Sequence, residues 1–272
     1  MDDRPIGVFD SGFGGLTVVR ALLDLVPGED LVYVGDTGRY PYGPRPLDEV
    51  RSYARQIARL LVEDHGVKML VVACNTASAA ALDLLRFELD VPVVGVIDPG
   101  VRAAVQATRN GRLGVIGTVG TISSGAYQRS VRAQRSPVAL VCAACPGFVE
   151  FVERGDTDSD QVYVLAERLL SPMRSDQVDT LLLGCTHYPF LARTIADVMG
   201  REVVLVSSAE ETAFEVLSIF SETGLGHRSG AKGSHRFLSS GDIGWFRELG
   251  GRLLGPELDD VERISWEPTP NQ

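Results

Sequence analysis

The sequence predicts an α/β protein built from two similar, doubly wound domains with mainly parallel sheets. Three observations lead to this prediction. Short apolar runs rich in β-branched residues alternate with longer stretches of helical periodicity. Glycine-rich turns follow several of the apolar runs. Two strand–turn segments also occur twice, in the same order. Strands that alternate with helices are typical of a parallel sheet covered by helices on both faces.

Eight segments have the composition of buried strands: Ile6–Phe9, Leu31–Val34, Met69–Val72, Val91–Val96, Leu113–Ile116, Val138–Cys142, Thr180–Leu183 and Val203–Val206. Apolar residues at spacings of three and four predict helices over Leu16–Val26 and Leu47–Asp64. A further helix is predicted over Ser207–Ser221, with Ser207 or Ser208 as its N-cap. We expect the tail Arg252–Gln272, which holds three prolines, to end without regular structure.

The internal repeat carries the domain prediction. The segment from Ile6 to Gly12 resembles the segment that starts at Leu113, 107 residues later. Leu70–Ala77 resembles the segment that starts at Leu181, 111 residues later. The simplest explanation is two domains related by a pseudo-two-fold axis, with equivalent residues facing each other across a cleft; chance similarity is the alternative. We place the second domain at residues 98–207 and assign residues 1–97 and 208–272 to the first.

Composition and charge exclude some classes of function. The chain has 26 basic and 36 acidic residues, a formal charge of −10, and no apolar run long enough to span a membrane. We therefore expect no direct binding to nucleic acid or to an anionic membrane. The N-terminus lacks the features of a secretory signal, so a cytoplasmic location is expected.

Four cysteines offer different interpretations. Cys142 and Cys145 have the spacing of a metal or redox motif, but there is no second pair and Pro146 follows at once. Packing as small buried residues at a strand end is the favoured interpretation of that pair. Cys74 and Cys185 each end a predicted buried strand ahead of a helix start, at equivalent positions of the repeat.

The placement of Cys74 and Cys185 indicates chemistry, although simple packing is an alternative. Ligands of open α/β sheets bind outside the carboxyl ends of the strands. A helix N-terminus there favours a thiolate and so helps to produce a base near neutral pH. A thiol on each side of a cleft places an acid and a base on opposite faces of one carbon, which inverts its configuration.

No cofactor motif accompanies the two thiols. The segment Gly12–Gly15 lacks the dinucleotide-binding spacing and no phosphate-binding Lys-Ser/Thr pair follows it. We expect this turn to direct its N–H groups at a small ligand. A cofactor-independent reaction without a metal is therefore predicted.

Several segments together resemble the signature segments of glutamate racemases, in the aspartate/glutamate racemase superfamily. They are Phe9–Thr17, Tyr33–Arg45, Ala73–Ala77, Val115–Ile122, Ala144–Glu153 and Leu183–Pro189. The resemblance extends from about residue 6 to 220. It implies interconversion of L- and D-glutamate without a cofactor, a supply of D-glutamate for peptidoglycan, and a homodimer.

The resemblance also implies residue roles. Cys74 takes the α-proton of D-glutamate and Cys185 that of L-glutamate. The implied substrate-binding residues are Asp10, Ser11, Tyr42, Gly43, Asn75, Thr76, Thr118, Thr121, Thr186 and His187. The implied auxiliary acid/base residues are Asp10, Asp36, Glu153 and His187.

Structural roles compete with these assignments. Asp10, Thr118 and Thr121 are also typical helix caps, and Asp36 is a typical turn residue. His187 also fits a structural histidine, and Glu153 also fits a solvated helix face. An aspartate or hydantoin racemase remains a rival within the superfamily. A regulatory protein on the same scaffold, for example one that binds DNA gyrase, is a rival from another class.

Overall fold

The computed structural model describes residues 2–227, 232–258 and 260–266. Strands in these ranges are β1 (Ile6–Asp10), β2 (Leu31–Gly35), β3 (Met69–Val72), β4 (Val93–Gly95), β5 (Arg112–Gly117), β6 (Ala139–Ala144), β7 (Thr180–Gly184), β8 (Val204–Ser207), β9 (His235–Ser239) and β10 (Val261–Arg263). Helices are α1 (Leu16–Leu25), α2 (Leu47–Arg59), α3 (Asn75–Glu88), α4 (Ile97–Ala107), α5 (Val119–Ser123), α6 (Ala126–Ala133), α7 (Phe148–Glu153), α8 (Asp160–Ser175), α9 (Ala192–Met199), α10 (Ser208–Thr223) and α11 (Ile243–Leu254). A π-helical turn, Leu60–Asp64, continues α2, and 3-10 helices cover Tyr188–Leu191 and Gly255–Glu257.

The strands form two sheets in which all described pairs are parallel. The larger sheet has the order β10-β9-β2-β1-β3-β4 and the smaller one β6-β5-β7-β8. The predicted α/β class with two parallel sheets is confirmed. The central strands β1, β3, β5 and β7 are almost entirely buried because helices cover both faces.

The two sheets repeat one topology and one register. The order β2-β1-β3-β4 of the first corresponds to β6-β5-β7-β8 of the second. Ile6 lies opposite Met69 in the first sheet, and Leu113 lies opposite Thr180 in the second. These are the pairs that the sequence offsets of 107 and 111 residues bring into correspondence. The ends of β3 and β7, where Cys74 and Cys185 follow, are therefore equivalent positions.

The eight strands predicted from the sequence are present as β1–β8, and the three predicted helices as α1, α2 with its π-helical turn, and α10. Ser207 caps α10, since its hydroxyl accepts a hydrogen bond from the backbone N–H of Ala209 at 3.3 Å. The expectation of an irregular tail is wrong for its described part. That part completes α11 and adds β10, which pairs with the unpredicted strand β9. Residues 259 and 267–272 of the tail lie outside the described residues.

The domain boundaries at 97/98 and 207/208 stay a proposal. All strands of the smaller sheet lie between these boundaries, and all described strands of the larger sheet lie outside them. We call residues 2–97 with the described part of 208–266 lobe 1, and residues 98–207 lobe 2. Over the described ranges, no helix combines the length and apolar character that crossing a bilayer requires.

A buried ion pair joins three parts of lobe 1. Lys68, at the start of β3, has a fully buried side chain whose Nζ lies 2.5 Å from Oε2 of Glu29 and donates to the backbone oxygen of Asp2 at 2.6 Å. Glu29 also accepts from the backbone N–H of His227 at 2.6 Å. The Lys68 ammonium lies 5.1 Å from the ring centroid of Phe220 in α10. The pair therefore holds the N-terminus, the α1–β2 connection and the end of α10 together.

We expect Lys68→Met to destabilise the fold strongly, because it leaves the Glu29 carboxylate buried without its cation. The loss in the free energy of unfolding is expected to be about 3–5 kcal/mol, measured by urea denaturation. Arg55→Met is the matched control, since the Arg55–Glu88 pair is partly exposed and its loss should cost less than about 1 kcal/mol. Equal losses in the two variants would contradict the assigned importance of burial.

Candidate active site

A cavity of about 100 Å³ lies between the two lobes, at the carboxyl ends of the parallel strands. Its walls come from the segments Tyr40–Pro44 and Cys74–Thr76 of lobe 1, and Cys145–Glu150 and Cys185–Tyr188 of lobe 2. One water needs roughly 10–15 Å³ of such space, so a small polar ligand fits. The position is the one at which open α/β sheets bind ligands.

The cavity brings together most of the residues that the sequence singled out. Its lining includes Ser11, Tyr42, Gly43, Cys74, Asn75, Thr76, Thr118, Cys185, Thr186 and His187. Four other predicted residues, Asp10, Thr121, Asp36 and Glu153, do not line it. Asp10 and Thr121 lie directly behind lining residues, to which they are hydrogen-bonded.

Cys74 lies two residues after the end of β3 and is the N-cap of α3. Its Sγ accepts a hydrogen bond from the backbone N–H of Ala77 at 3.4 Å, while its thiol donates to the hydroxyl of Ser11 at 3.9 Å. The side chain is 5% exposed. The predicted position between a strand end and a helix N-terminus is therefore confirmed for Cys74.

Cys185 occupies the equivalent position in lobe 2 but has different neighbours. A short 3-10 helix, Tyr188–Leu191, follows it instead of a long α-helix. Its Sγ lies 3.8 Å from Nδ1 of His187. Burial lowers the pKa of His187 to about 4, so this imidazole is neutral near pH 7. Its Nε2 has no hydrogen-bond partner within the described part of the chain.

Asp10, at the end of β1, is 1% exposed and accepts hydrogen bonds from the backbone N–H of Gly12 at 2.8 Å and from the Thr186 hydroxyl at 3.5 Å. Burial raises its pKa to about 6, while the N–H groups of Gly12 and Gly15 oppose the shift. The expectation that the Gly12–Gly15 turn directs its N–H groups at a ligand is thus wrong at these two residues. They face the carboxylate that precedes the turn.

Gly14 permits the two lobes to approach each other. A Cβ atom at this position would lie 2.4 Å from Oγ1 of Thr186 and 2.7 Å from the ring of His187. Any side chain at residue 14 would therefore displace the segment that follows Cys185.

Burial dominates the ionisation of the two thiols. Burial, together with the smaller effect of the Asp10 carboxylate, raises the pKa of Cys74 to about 12. Burial also raises the pKa of Cys185 well above its usual range, against the backbone N–H of His187. The expected contribution of the helix N-terminus toward a base near neutral pH is therefore outweighed by burial. The hydrogen bonds at the strand ends are outweighed by the loss of hydration.

Three threonine hydroxyls form a triangle across the cleft. Oγ1 of Thr76 lies 3.0 Å from that of Thr118 and 3.1 Å from that of Thr121, and the last two are 2.9 Å apart. Thr118 is also the N-cap of α5, as the structural alternative had it. Nearby, the backbone N–H of Gly120 donates to the carbonyl of Gly43 at 2.9 Å. The lobes are thus hydrogen-bonded to each other beside the cavity.

Asn75 presents an amide to the cavity. Its Nδ2 donates to the hydroxyl of Tyr127 in lobe 2 at 2.8 Å, which orients the side chain. Its buried Oδ1 has no partner among the residues that the structure describes. A buried acceptor of this kind favours a ligand that carries N–H donors.

Asp36 is fully buried behind Tyr42 rather than in the cavity wall. Oδ2 accepts from the Tyr42 hydroxyl and from Nε of Arg39 at 2.7 Å. Oδ1 accepts from the Ser240 hydroxyl at 2.6 Å and from Nε1 of Trp266 at 2.7 Å. With four donors, the carboxylate has its hydrogen-bonding capacity filled. This geometry fits an anchor and does not fit the auxiliary acid/base role that the resemblance implied.

Tyr40 is a lining residue that the sequence analysis missed. Its ring lies 6.1 Å from that of His187 and 5.9 Å from that of Trp245, measured between centroids. Glu153 of lobe 2 lies beside it, and burial raises the pKa of Glu153 while the Tyr40 hydroxyl lowers it. Glu153 is therefore part of the cleft and not of a solvated face. Tyr40 directly precedes the Pro-Tyr-Gly turn, which was the available signal.

Cys145 also lines the cavity, whereas Cys142 is half-buried in β6. Packing of both cysteines at a strand end was therefore an incomplete interpretation. Cys145 follows β6 as Asp36 follows β2, so the pseudo-symmetry places it beside the site. Within residues 2–227, 232–258 and 260–266, no three His, Cys, Asp or Glu side chains are grouped as metal ligands.

Comparisons with known proteins agree with this fold. The model of the Asp/Glu/hydantoin racemase family matches residues 6–213. The chain belongs to this family of racemases. The expectation that it is an enzyme of the isomerase class is confirmed.

Named relatives narrow the class. A glutamate racemase of Mycobacterium leprae is 55% identical over 259 residues, 95% of this chain and 94% of that protein. One of Parafrankia sp. is 53% identical over 262 residues, 96% and 94% of the two chains. The crystal structure of glutamate racemase isoform RacE1 from Bacillus anthracis has a TM-score of 0.91 at 39% identity, with 98% of both chains covered. That of the Francisella tularensis enzyme in complex with D-glutamate has a TM-score of 0.90 at 33% identity, covering 97% and 98%. The resemblance to glutamate racemases is confirmed.

We expect Asp10→Asn to stabilise the protein at neutral pH. The pKa of Asp10 rises from 3.8 to about 6 on folding, so its contribution to stability is fully present below about pH 4 and lost as the pH rises through 6. Removing the buried charge should therefore gain roughly 3 kcal/mol at pH 7.5 and little at pH 4.

Urea denaturation at both pH values measures the difference, with Asp83→Asn as a control. Asp83 is exposed on α3, and its substitution should change stability by less than about 0.5 kcal/mol at either pH. If the free energies of unfolding of Asp10→Asn and the wild type differed by the same amount at pH 4 and pH 7.5, the assigned pKa shift would be refuted.

Proposed function

We propose that this protein is a cofactor-independent glutamate racemase that interconverts L- and D-glutamate by a two-base mechanism. One observation carries the proposal: two buried cysteines, one from each lobe, line the same cavity at pseudo-symmetric strand ends. The relatives named above, which match nearly the whole chain, support glutamate as the substrate.

The cavity wall and the residues directly behind it offer partners for the ammonium group and for one carboxylate of glutamate. Asp10, which is largely ionised at pH 7, and Oδ1 of Asn75 are suited to the ammonium group. The hydroxyls of Thr76, Thr118 and Thr121 are suited to a carboxylate. In the closed triangle each hydroxyl proton has an acceptor already, so a bound carboxylate would take over donors that now bond within the triangle.

Substrate binding would also change the charge balance at the thiols. The Asp10 carboxylate raises the pKa of both Cys74 and Cys185. An ammonium group beside Asp10 cancels this repulsion and favours a thiolate directly. One cysteine then removes the α-proton as thiolate while the other delivers a proton as thiol.

Each direction of the reaction uses the cysteines in opposite roles. In the proposed assignment Cys74 removes the proton of D-glutamate and Cys185 that of L-glutamate. Neutral His187, with Nδ1 3.8 Å from Sγ of Cys185, is placed to orient that thiol through a hydrogen bond. Closure of the two lobes on the substrate would exclude water from the cavity. Fixed dipoles of the protein would then replace water in stabilising the charges on the thiolate and the substrate. We also propose that the protein is a cytoplasmic homodimer and that it supplies D-glutamate for peptidoglycan.

We expect Cys74→Ala and Cys185→Ala each to lower kcat by at least about 10³-fold, because each removes one of two essential proton carriers. Racemisation of L- and D-glutamate is followed by circular dichroism. Cys142→Ala is the matched control: it removes a thiol outside the cavity wall and should keep kcat within about twofold. If the wild type racemised aspartate or a hydantoin but turned over glutamate in neither direction, the assignment of glutamate as the substrate would be refuted.

Exchange in D2O tests the two-base mechanism. Because the donor thiol exchanges with solvent and differs from the acceptor, deuterium should enter the α-carbon of the product enantiomer first. Mass spectrometry of separated enantiomers during the first turnovers measures this order. Deuterium in recovered substrate at a comparable early rate would indicate one shared base.

The pH dependence of kcat/KM should have an acidic limb near pH 6. Asp10 must be ionised to receive the ammonium group, and its pKa is raised by burial to about 6. Activity is therefore expected to fall as the pH decreases through this value. In Asp10→Asn the limb should disappear while KM rises, and an unchanged limb in that variant would assign the ionisation to another group.

A further inference from the structure

The loop Tyr40–Pro44 forms one wall of the cavity, and its central residue is held from behind. Tyr42 is 1% exposed, and its hydroxyl donates to Asp36 and does not point into the cavity. On the side of lobe 2, Gly43 packs closely against Thr118, because a Cβ atom there would lie 2.9 Å from Cβ of Thr118, and its carbonyl accepts from the backbone N–H of Gly120 at 2.9 Å. The position of this wall therefore depends on what holds Asp36.

Asp36 is held by the C-terminal part of the chain. Both donors to its Oδ1 come from there: the Ser240 hydroxyl, just after β9, and the indole N–H of Trp266, at 2.6 and 2.7 Å. The segment that carries Trp266 is itself fixed, since the backbone N–H of Ile264 donates to the carbonyl of Ser239 at 2.9 Å.

The ring of Trp266 makes a second contact with the same network. The guanidinium carbon of Arg39 lies 4.3 Å from the Trp266 ring centroid and 4.1 Å from that of Tyr53, so the cation is stacked between two aromatic rings. Arg39 in turn donates to Asp36 at 2.7 Å and to Gln56 of α2 at 2.7 Å. Cation–π contacts of a partly buried arginine restrict where its donors point.

We propose that Trp266 is a positioning residue for the reaction, acting through Asp36 and Arg39 on Tyr42 and the loop Tyr40–Pro44. The inference rests on the proposed function, since the loop matters only if the cavity binds substrate. Trp266 lies far from the cavity lining in sequence and does not touch the cavity. Its effect is on the wall that meets the substrate.

Loss of the indole N–H leaves Oδ1 of a buried carboxylate with one donor instead of two. Such a carboxylate lowers its free energy by moving toward other hydrogen-bond donors. The Tyr42 hydroxyl, which donates to this carboxylate, is expected to move with it. A displaced wall weakens binding of substrate and transition state alike. The expected result is a raised KM with little change in kcat.

A double-mutant cycle tests this coupling. Trp266→Phe keeps an aromatic ring over Arg39 and removes only the N–H donor, while Tyr42→Phe removes the donor on the other side of Asp36. We expect each single variant to raise KM for glutamate about 3- to 10-fold, with kcat within about twofold. Because both act through Asp36, the double variant should raise KM by much less than the product of the two single effects.

Arg263→Ala is the control for a purely structural effect. Arg263 lies in the same C-terminal segment. Within the described ranges its side chain makes one long hydrogen bond, 3.3 Å, to the carbonyl of Gly241 and none to Asp36 or Arg39. Its KM should equal that of the wild type. If Trp266→Phe lowers Tm below the assay temperature, Ser240→Ala, which removes the other donor to Oδ1, replaces it in the cycle.

Hydrogen exchange separates this inference from the substrate assignment. In the protein without substrate, Trp266→Phe should speed amide exchange over residues 37–45 relative to wild type and Arg263→Ala. If the wild type fails to racemise glutamate, the proposed function falls and the exchange measurement alone decides the coupling. An unchanged KM, KM effects that multiply in the double variant, or unchanged exchange over this loop would each overturn the role of Trp266.

Discussion

Burial of three ionisable groups where the two sheets meet is the constraint on which the site depends. Asp10, Cys74 and Cys185 are each at least nine-tenths buried, and lost hydration is the main cause of the raised pKa of each. Placing charge on the two thiols there is costly, so their ionisation is favoured only when a positive charge arrives beside them. The cavity is therefore arranged so that its reactivity depends on the ligand it holds.

The repeated topology explains how two thiols reach that position. The strand order and register that the two sheets share over four strands place Cys74, beyond the end of β3, and Cys185, beyond the end of β7, at equivalent points of a cleft. Close contact between the lobes depends on small residues, as at Gly14 against Thr186. It also depends on hydrogen bonds between the lobes, such as that from Gly120 to Gly43.

Much of the two-sheet arrangement could be predicted from the sequence, because strands that are buried on both faces appear in the sequence as nearly continuous apolar runs. Strands β9 and β10 could not, since each is short and polar at several positions. Strand β9 is recognisable only from its pairing with β2, and β10 only from its pairing with β9. Asp36 was assigned to proton transfer because a buried carboxylate and a turn carboxylate look alike in sequence. Its four hydrogen-bond donors come from residues as distant as Trp266, which no local pattern reveals. The ionisation of the thiols was misjudged because local helix position is visible in sequence while depth of burial is not.

The two cysteines are equivalent in topology but differ in their immediate surroundings. Cys74 caps a helix of 14 residues, whereas Cys185 precedes a 3-10 helix of four residues and has an imidazole beside it. Enantiomers have equal free energies in water, so for a racemase the ratio kcat/KM must be the same in both directions. The structural inequality of the two thiols can then affect only how that shared ratio is divided between kcat and KM. A difference in kcat between the two directions would measure how unequally the cavity stabilises the two bound enantiomers. It would carry no information about a net direction of synthesis.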